Sequence, residues 1–326
     1  MPVYNGGAYI AESIESVLAQ KYKDFRLIVC DNCSTDNTGD IVRSFDDDRI
    51  TYVRNERNLG LVGNSNRCLE LADGEYISIL HHDDVMLPEN LERKVALLDE
   101  HPKVGFVHSN LSLIDTEGRS VADDIWYEGS RHDYIENGRT IFRNYLDYLS
   151  FGASMFIGTV LARKECYDRL GKFSPELPHC SDSEMVMRML LFYDVACIGT
   201  PLVKYRVHPT STSSGWGGYN SIEYIKEHYL AATMIFDRYK DHIPQSDALL
   251  RQVSHSFGER VLDLAWGSVS GGNFDSGKTL LKEAVNIYPG VLKKSTYWKT
   301  AARLLAGSKG LQFYQTARKH LGGNYV

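Results

Sequence analysis

From Tyr9 to His108 the chain repeats one rhythm: a helix-period stretch, a short apolar run, then a polar loop. Ile10, Ile14, Val17 and Leu18 fall at i, i+4, i+7 and i+8, the spacing of a helix with one buried face. Residues 27–30 read as a buried strand that runs into the polar loop 31–38. A helix over 38–45, a strand over 50–53, a Gly/Asn loop from Asn55, a helix over 66–72 and a strand over 76–80 follow. Pro88 is placed to open the next helix as its first residue, where its missing N–H costs nothing. Leu91, Val95 and Leu98 form that helix's stripe, Pro102 follows its end, and 104–108 is another strand. Continuous apolar strands that alternate with helices imply an α/β fold, its mixed, mostly parallel sheet flanked by helices. Ligands of such sheets gather beyond the carboxyl ends of the strands, so Asp31 and Asp83, each just past a strand, are expected to point into one crevice.

Beyond this region the pattern loosens. Residues 110–150 read as irregular and Tyr-rich, 155–162 as a strand, 181–192 as a helix and 196–206 as an extended segment. From Ile222 the pattern turns helical, with Tyr224, His228, Ala231 and Ile235 at helical spacing. The Ser/Gly-rich stretch 211–218 suggests a boundary near 215, which divides the chain into 1–215 and a helical C-terminal region, 216–326. No internal repeat is visible.

Charge and cysteine content narrow the function. A net charge of −6 argues against general nucleic-acid binding, which needs a basic surface to displace counterions. No stretch approaches the roughly 18 apolar residues of a membrane span, and no basic segment followed by an apolar one opens the chain. Cytoplasmic residence is the resulting expectation. Six scattered cysteines fit a reducing compartment. Cys30 and Cys33 make a lone C-x-x-C that lacks two of the ligands a zinc site needs. The tail is different: no Asp or Glu follows Glu283, while Lys293, Lys294, Lys299, Arg303, Lys309, Arg318 and Lys319 all do. With Tyr297, Trp298, Leu304, Leu305, Leu311, Phe313 and Tyr314 among them, these charges suit a helix pair lying on anionic lipid. The plainer alternative is a helical subdomain whose aromatics pack on the core or on a second copy of the chain.

Asp83-Asp84 at a strand end is the strongest chemical feature. One or two carboxylates completed by substrate phosphates commonly hold Mg²⁺ or Mn²⁺, so a metal–diphosphate site is the natural reading. A solvated turn whose acids favour the following helix N-terminus would leave the same pattern.

The segments Pro2-Val3-Tyr4-Asn5, Cys30-Asp31-Asn32-Cys33-Ser34-Thr35-Asp36-Asn37-Thr38, Gly74-Glu75-Tyr76-Ile77, Asp83-Asp84 and Tyr205-Arg206-Val207-His208, in this order, together resemble the family 2 glycosyltransferases. The resemblance implies a GT-A type, Rossmann-like domain over 1–215. It also implies a nucleotide-sugar donor, foremost a UDP-sugar, a saccharide or lipid-linked acceptor, and a place in cell-surface polysaccharide synthesis. By position it sets Tyr4 and Asn5 beside the base, with the Tyr4 ring stacked on it. Asp31 would accept a base N–H, since an ionised carboxylate only accepts; an Asx turn with Ser34 and Asp36 is the structural alternative. Asp83 and Asp84 would sit at the donor diphosphate, with Asp83 and His208 as ligands of Mn²⁺ or Mg²⁺. Arg206 would neutralise phosphate or pair with the acidic cleft.

In Ser181-Asp182-Ser183-Glu184, Asp182 matches the family's catalytic base, with Glu184 in reserve; an acid in a helix's first turn also favours the dipole without catalysing. The implied mechanism is a single displacement with inversion, the metal offsetting charge on the leaving diphosphate.

Three departures stand out. His81 occupies the first acidic position of the metal motif, and Ser65 the position of an arginine near the diphosphate, with Arg67 out of phase. The chain also opens at Met1-Pro2, where the family has a full apolar strand, so a truncated start is expected. A sugar-nucleotide nucleotidyltransferase is the second reading, disfavoured because no Arg or Lys lies near Asn5-Gly6-Gly7 before Lys21. A non-catalytic binding protein that keeps the fold is the third.

Overall fold

The computed structural model describes residues 1–125, 132–151, 155–211 and 221–320. Three parallel strands, β1 (Pro2–Val3), β2 (Leu27–Asp31) and β3 (Ile50–Arg54), form a first sheet with β2 in the middle. α1 (Ile10–Leu18) buries the stripe Ile10, Ile14 and Val17 against this part of the core, as its spacing requires. α2 (Thr38–Arg43) makes the crossover from β2 to β3, and α3 (Gly60–Leu71) leads from β3 to the second sheet. α3 begins six residues earlier than the periodicity predicts, because Gly60 supplies the positive φ, 75°, of the turn into it.

β4 (Tyr76–Ser78), β5 (Val85–Met86), α4 (Asn90–Glu100) and β6 (Val104–Ile114) continue the alternation. Pro88 is not the first helical residue. It is the second residue of a turn in which Asn90 N–H donates to Leu87 O at 3.0 Å, one step before the α4 N-cap, Glu89. The stretch read as irregular is largely ordered, with β6 running to Ile114 and then β7 (Ser120–Ile125), β8 (Tyr134–Glu136) and α5 (Gly138–Phe151). The buried set Ile141, Phe142, Tyr145, Leu146 and Leu149 is a helical stripe that its many tyrosines and arginines obscured. The strand read over 155–162 is a 3₁₀ turn, Ile157–Thr159, followed by the short β9 (Leu161–Arg163).

α6 (Lys164–Leu170), α7 (Ser181–Phe192) and β10 (Asp194–Arg206) follow, α7 with the predicted bounds. The second sheet runs β4-β9-β6-β10-β5, with β7 on β6 and β8 on β10. Parallel pairing therefore dominates only the first sheet. In the second, β6–β10 is parallel and the other described pairings are antiparallel. Local periodicity cannot distinguish these directions, since both put alternate side chains on opposite faces.

The remaining helices are α8 (Ile222–Tyr239), α9 (Ser246–Ser270), α10 (Phe274–Ile287) and α11 (Ser295–His320), the last breaking at Gly307, φ 59°. They share a buried cluster with α5 and α7: Phe236 meets Phe142 at 6.4 Å between ring centroids, and Ile225, Ile235 and Phe257 pack with Met185 and Leu190. The boundary expected at 215 falls within 212–220, outside the described residues. No helix among the described residues is long and apolar enough to cross a membrane.

In the tail, Tyr297, Ala301 and Leu304 pack on the core, whereas Trp298 and Leu305 are 62% and 89% exposed. The side chains of Lys309, Leu311, Phe313, Tyr314, Arg318 and Lys319 lie outside the described residues.

Candidate active site

Two loops build the site. The first follows β1, where Asn5 takes a left-handed φ of 50°. Asn5 N–H donates to Ser34 Oγ at 2.9 Å and its Oδ1 accepts Thr35 N–H at 2.8 Å. Gly6 N–H reaches Thr38 Oγ1 and Gly7 N–H reaches Asp36 Oδ2, both at 2.9 Å. The loops 4–7 and 31–38 thus form one zipped wall, from which the half-exposed Tyr4 ring projects. A Cβ on Gly6 would stand 2.4 Å from the His82 ring, so only glycine lets this wall rest on the second loop.

Asp31 is fully buried. Its Oδ1 accepts Ser34 N–H at 2.7 Å, and its Oδ2 accepts the Tyr52 hydroxyl at 2.5 Å and the Arg54 guanidinium at 3.0 Å. Burial pulls its pKa up, but the bonds from Ser34 and Tyr52 and the Arg54 charge outweigh it and hold the carboxyl below its ordinary value. The Asx-turn bond to Ser34 is therefore present, and Asp31 is a hub inside the wall rather than a carboxylate open to the cleft. Tyr52 and Arg54 arrive from β3, so no pattern local to 31–38 announces them. Asn32, Asn55 and Asn64 brace the wall from behind: Asn55 Nδ2 donates to Asn32 Oδ1 at 3.2 Å and to Asn64 Oδ1 at 2.8 Å, while Asn64 Nδ2 donates to Cys30 O at 2.9 Å.

The second loop joins β4 to β5. Ser13 on α1 donates to the carbonyls of His82 and Asp84, each at 2.7 Å, and fixes the turn. Asp83 Oδ2 lies 3.0 Å from Nε2 of His208, a residue 125 positions away in sequence. His208 Nδ1 lies 2.9 Å from Thr210 Oγ1, and the Tyr9 ring packs on its imidazole at 4.9 Å. Asp84 is buried; its Oδ1 accepts Arg206 N–H at 2.9 Å, and His81 Nδ1 stands 3.8 Å from its Oδ2. Burial and then the Asp83 charge push the Asp84 carboxyl well above its ordinary pKa. For Asp83 burial acts upward too, but the His82 and His81 rings and the His208 hydrogen bond outweigh it and hold it low.

These residues fit a divalent cation. Donor atoms of His81, Asp83 and Asp84 all lie within 4.8 Å of one another, and this is the only such cluster found among the described residues. Asp84 Oδ2 is buried with no hydrogen-bond partner, an oxygen that a cation would satisfy. Carboxylate oxygen mixed with imidazole nitrogen suits Mn²⁺ better than Mg²⁺.

Arg206 takes the second of its two expected roles and pairs with an acid, Glu12. Its side chain is 1% exposed, and it donates to Asp83 O at 2.9 Å, Asp115 O at 3.0 Å and Glu12 Oε2 at 2.5 Å, with its guanidinium 4.8 Å from the Tyr9 ring centroid. It is a strut that ties β10 to α1 and to the metal loop. Arg206→Ala is expected to lower the unfolding free energy by about 3 kcal/mol, because those carbonyls lose their donor. Arg206→Lys should recover only part, since an ammonium cannot reproduce the planar fork. Urea melts of the two variants check this.

Asp182 opens α7, and its Oδ1 accepts the N–H of Ser183 at 2.7 Å. Burial pushes its pKa up to about 6, against the opposing hydrogen bonds from Ser183. Glu184 is committed elsewhere, bonded to Arg188 at 2.7 Å and to Ser174 at 3.1 Å, both inside the core. No hydrogen bond or ion pair among the described residues joins Asp182 to Asp83. Arg67 pairs with Glu70 at 3.1 Å, and Ser65 Oγ donates to Leu61 O within α3.

Among solved structures, the chain resembles S. aureus TarS 1–349 in complex with UDP-GlcNAc, with TM-score 0.60, 18% identity and coverage of 100% of this chain and 91% of that one. It also resembles the mannosyltransferase PcManGT of Pyrobaculum calidifontis in complex with GDP-Man and Mn²⁺, with TM-score 0.54, 19% identity and coverage of 94% and 83%. At these identities the likeness shows the GT-A fold. WfgD of Escherichia coli, a UDP-Glc:alpha-D-GlcNAc-diphosphoundecaprenol beta-1,3-glucosyltransferase, is 36% identical over 115 residues, 35% of this chain and 45% of that protein. The matches to several other curated relatives span between 44% and 66% of those proteins' length. The model of Glycosyl transferase family 2 matches residues 1–169, just over half of the 326-residue chain, and the chain belongs to that family.

Proposed function

We propose that the chain transfers a sugar from a UDP-sugar to a saccharide or lipid-linked acceptor, with inversion at the anomeric carbon, in the assembly of a cell-surface polysaccharide. The observation that carries this reading is the meeting of Asp83, Asp84, His81 and His208 against the Gly6 edge of the Tyr4–Asn5 wall. Tyr4 offers the base a stacking face. Asp31 serves the base only if Arg54, half exposed, leaves its Oδ2.

Asp83, Asp84, His81 and His208 would hold Mn²⁺, which when bound offsets negative charge on the departing diphosphate. Asp182 takes the proton of the acceptor hydroxyl as its oxygen bonds to the anomeric carbon and the bond from that carbon to the diphosphate oxygen breaks. Asp182 is suited to the task because it is a carboxylate at neutral pH with a raised pKa. A UDP-bound neighbour and a relative named for a UDP-glucose donor and a lipid diphosphate acceptor support the choice of substrates. Thermal-shift screening of UDP-, GDP- and dTDP-sugars with Mn²⁺ tests the reading. A UDP-sugar should give the largest rise, and equal responses to all three nucleotides would contradict it.

A lipid-linked acceptor calls for contact with the membrane. Trp298 and Leu305, one double turn apart, project from α11 with the exposed Lys299 in a stretch without carboxylates, and this face suits an anionic lipid surface. The protein should sediment with phosphatidylglycerol-containing vesicles at low salt and not at high salt. Trp298→Ser with Leu305→Ser should weaken sedimentation several-fold. Equal sedimentation with pure phosphatidylcholine vesicles would count against the surface.

A further inference from the structure

α7 starts without a cap of its own. The N-cap residue Cys180 makes no side-chain capping bond, and Asp182 uses its Oδ1 on the adjacent Ser183. The backbone entering the helix is held instead from α8. Glu227 Oε1 accepts His179 N–H at 2.7 Å and Cys180 N–H at 2.8 Å, two bonds from one carboxylate oxygen across 48 and 47 residues of sequence. The next residue, His228, is buried with its Nδ1 2.9 Å from Tyr224 O and 2.8 Å from Cys180 Sγ, and its Nε2 3.4 Å from Ser183 Oγ. Two consecutive residues of α8 therefore grip positions 179, 180 and 183, on both sides of Asp182.

We infer that Glu227, supported by His228, is the positioning residue of the acceptor-activating carboxylate, which makes the helical C-terminal region part of the transfer site. This inference rests on Asp182 being the base. It explains why a helix far along the chain carries a carboxylate aimed at two backbone amides instead of a cation. Near-attack geometry makes such a clamp matter, since a shift of about 1 Å at a reacting group can cost roughly 100-fold in rate.

Electrostatics gives the clamp a second effect. The groups that act on Asp182 and its clamp are Ser183 beside it on α7, Glu227 and His228 of α8, His179 and Cys180 of the preceding loop, and Arg260 of α9 toward His228. Burial raises the Asp182 pKa most, and the charge of Glu227 adds to it. His228 is neutral at pH 7, since burial brings it down to about 4. Asp182 must be deprotonated to act, so turnover falls at acid pH along a limb set by its pKa. Removing the Glu227 charge should move that limb to lower pH.

The test measures UDP release from UDP-GlcNAc and UDP-glucose with Mn²⁺, well below the melting temperature of each variant. Glu227→Gln keeps an oxygen acceptor but no charge. It should retain turnover within about threefold and shift the acid limb of kcat down by roughly half a pH unit or more. Glu227→Ala, which loses the clamp, should lower kcat roughly 10- to 100-fold with KM nearly unchanged. A merely structural residue would lower the melting temperature and the folded fraction without moving the limb. Asp182→Asn separates the two ideas. If it abolishes turnover while both Glu227 variants keep wild-type kcat and pH profile, the positioning role is overturned and the base stands. If Asp182→Asn is fully active, both fall.

Discussion

Asp83→Ala should abolish the Mn²⁺-dependent rise in melting temperature caused by a UDP-sugar and reduce sugar transfer roughly 10³-fold, the scale seen when one charge-stabilising group is lost. The same variant should leave the ligand-free protein at least as stable as wild type. Asp83 gives up a single hydrogen bond to His208, while its charge is a cause of the raised pKa of its buried neighbour Asp84. Removing Asp83 relieves that repulsion. A ligand that binds only the native state at 100 times its dissociation constant stabilises by about 2.7 kcal/mol, so the lost increment is easily read by thermal shift. Mn²⁺ titration without nucleotide provides a second measure. Wild-type transfer and an unchanged melting profile in Asp83→Ala would remove the site from consideration.

Asp182→Asn should lower kcat by about 10²- to 10⁴-fold, the range a positioned general base contributes, and leave UDP affinity within threefold. The amide can still accept Ser183 N–H, so α7 should start where it does and the melting temperature should move little. In wild type, turnover should fall on acidification through a limb near pH 6, because burial raises the carboxyl to about that value and the protonated form cannot take the acceptor's proton. Asp182→Asn has no such limb from this residue. Loss of nucleotide binding in this variant would mean that Asp182 belongs to the donor side. Glu184→Gln gives the contrast: its carboxylate is a buried partner of Arg188, so its loss should appear in stability before catalysis.

Much of this chain was readable because its first hundred residues are locally consistent. The stripe of α1 follows from a period of 3.6 and β2 from its continuous apolar run. α5 lies in a stretch that reads as irregular although Ile141, Phe142, Tyr145, Leu146 and Leu149 fall at helical spacing, since its Tyr-rich composition masks the stripe. β7 and β8 are edge strands whose order depends on β6 and β10, which a local window does not contain. The nearness of Asp83 and His208 could be anticipated only through the resemblance of short motifs. In the structure it results from β10 running back beside β5, with Val203 opposite Met86.

Other features belong to the tertiary structure alone. Asp31 reads as a base acceptor or an Asx turn and Arg206 as a partner of phosphate or of an acid; the ties to Tyr52, Arg54, Glu12 and Asp115 that the structure shows come from elements that no local pattern brings near. Glu227 and His228 look like ordinary members of an amphipathic helix until α8 is docked on α7. The sequence alone determined the α/β class, the family and the acids worth testing, because backbone periodicity and short motifs are properties of contiguous residues. Packing decided which of those acids are open, which are engaged and which distant side chains hold them, because hydrogen bonds and burial depend on neighbours in space.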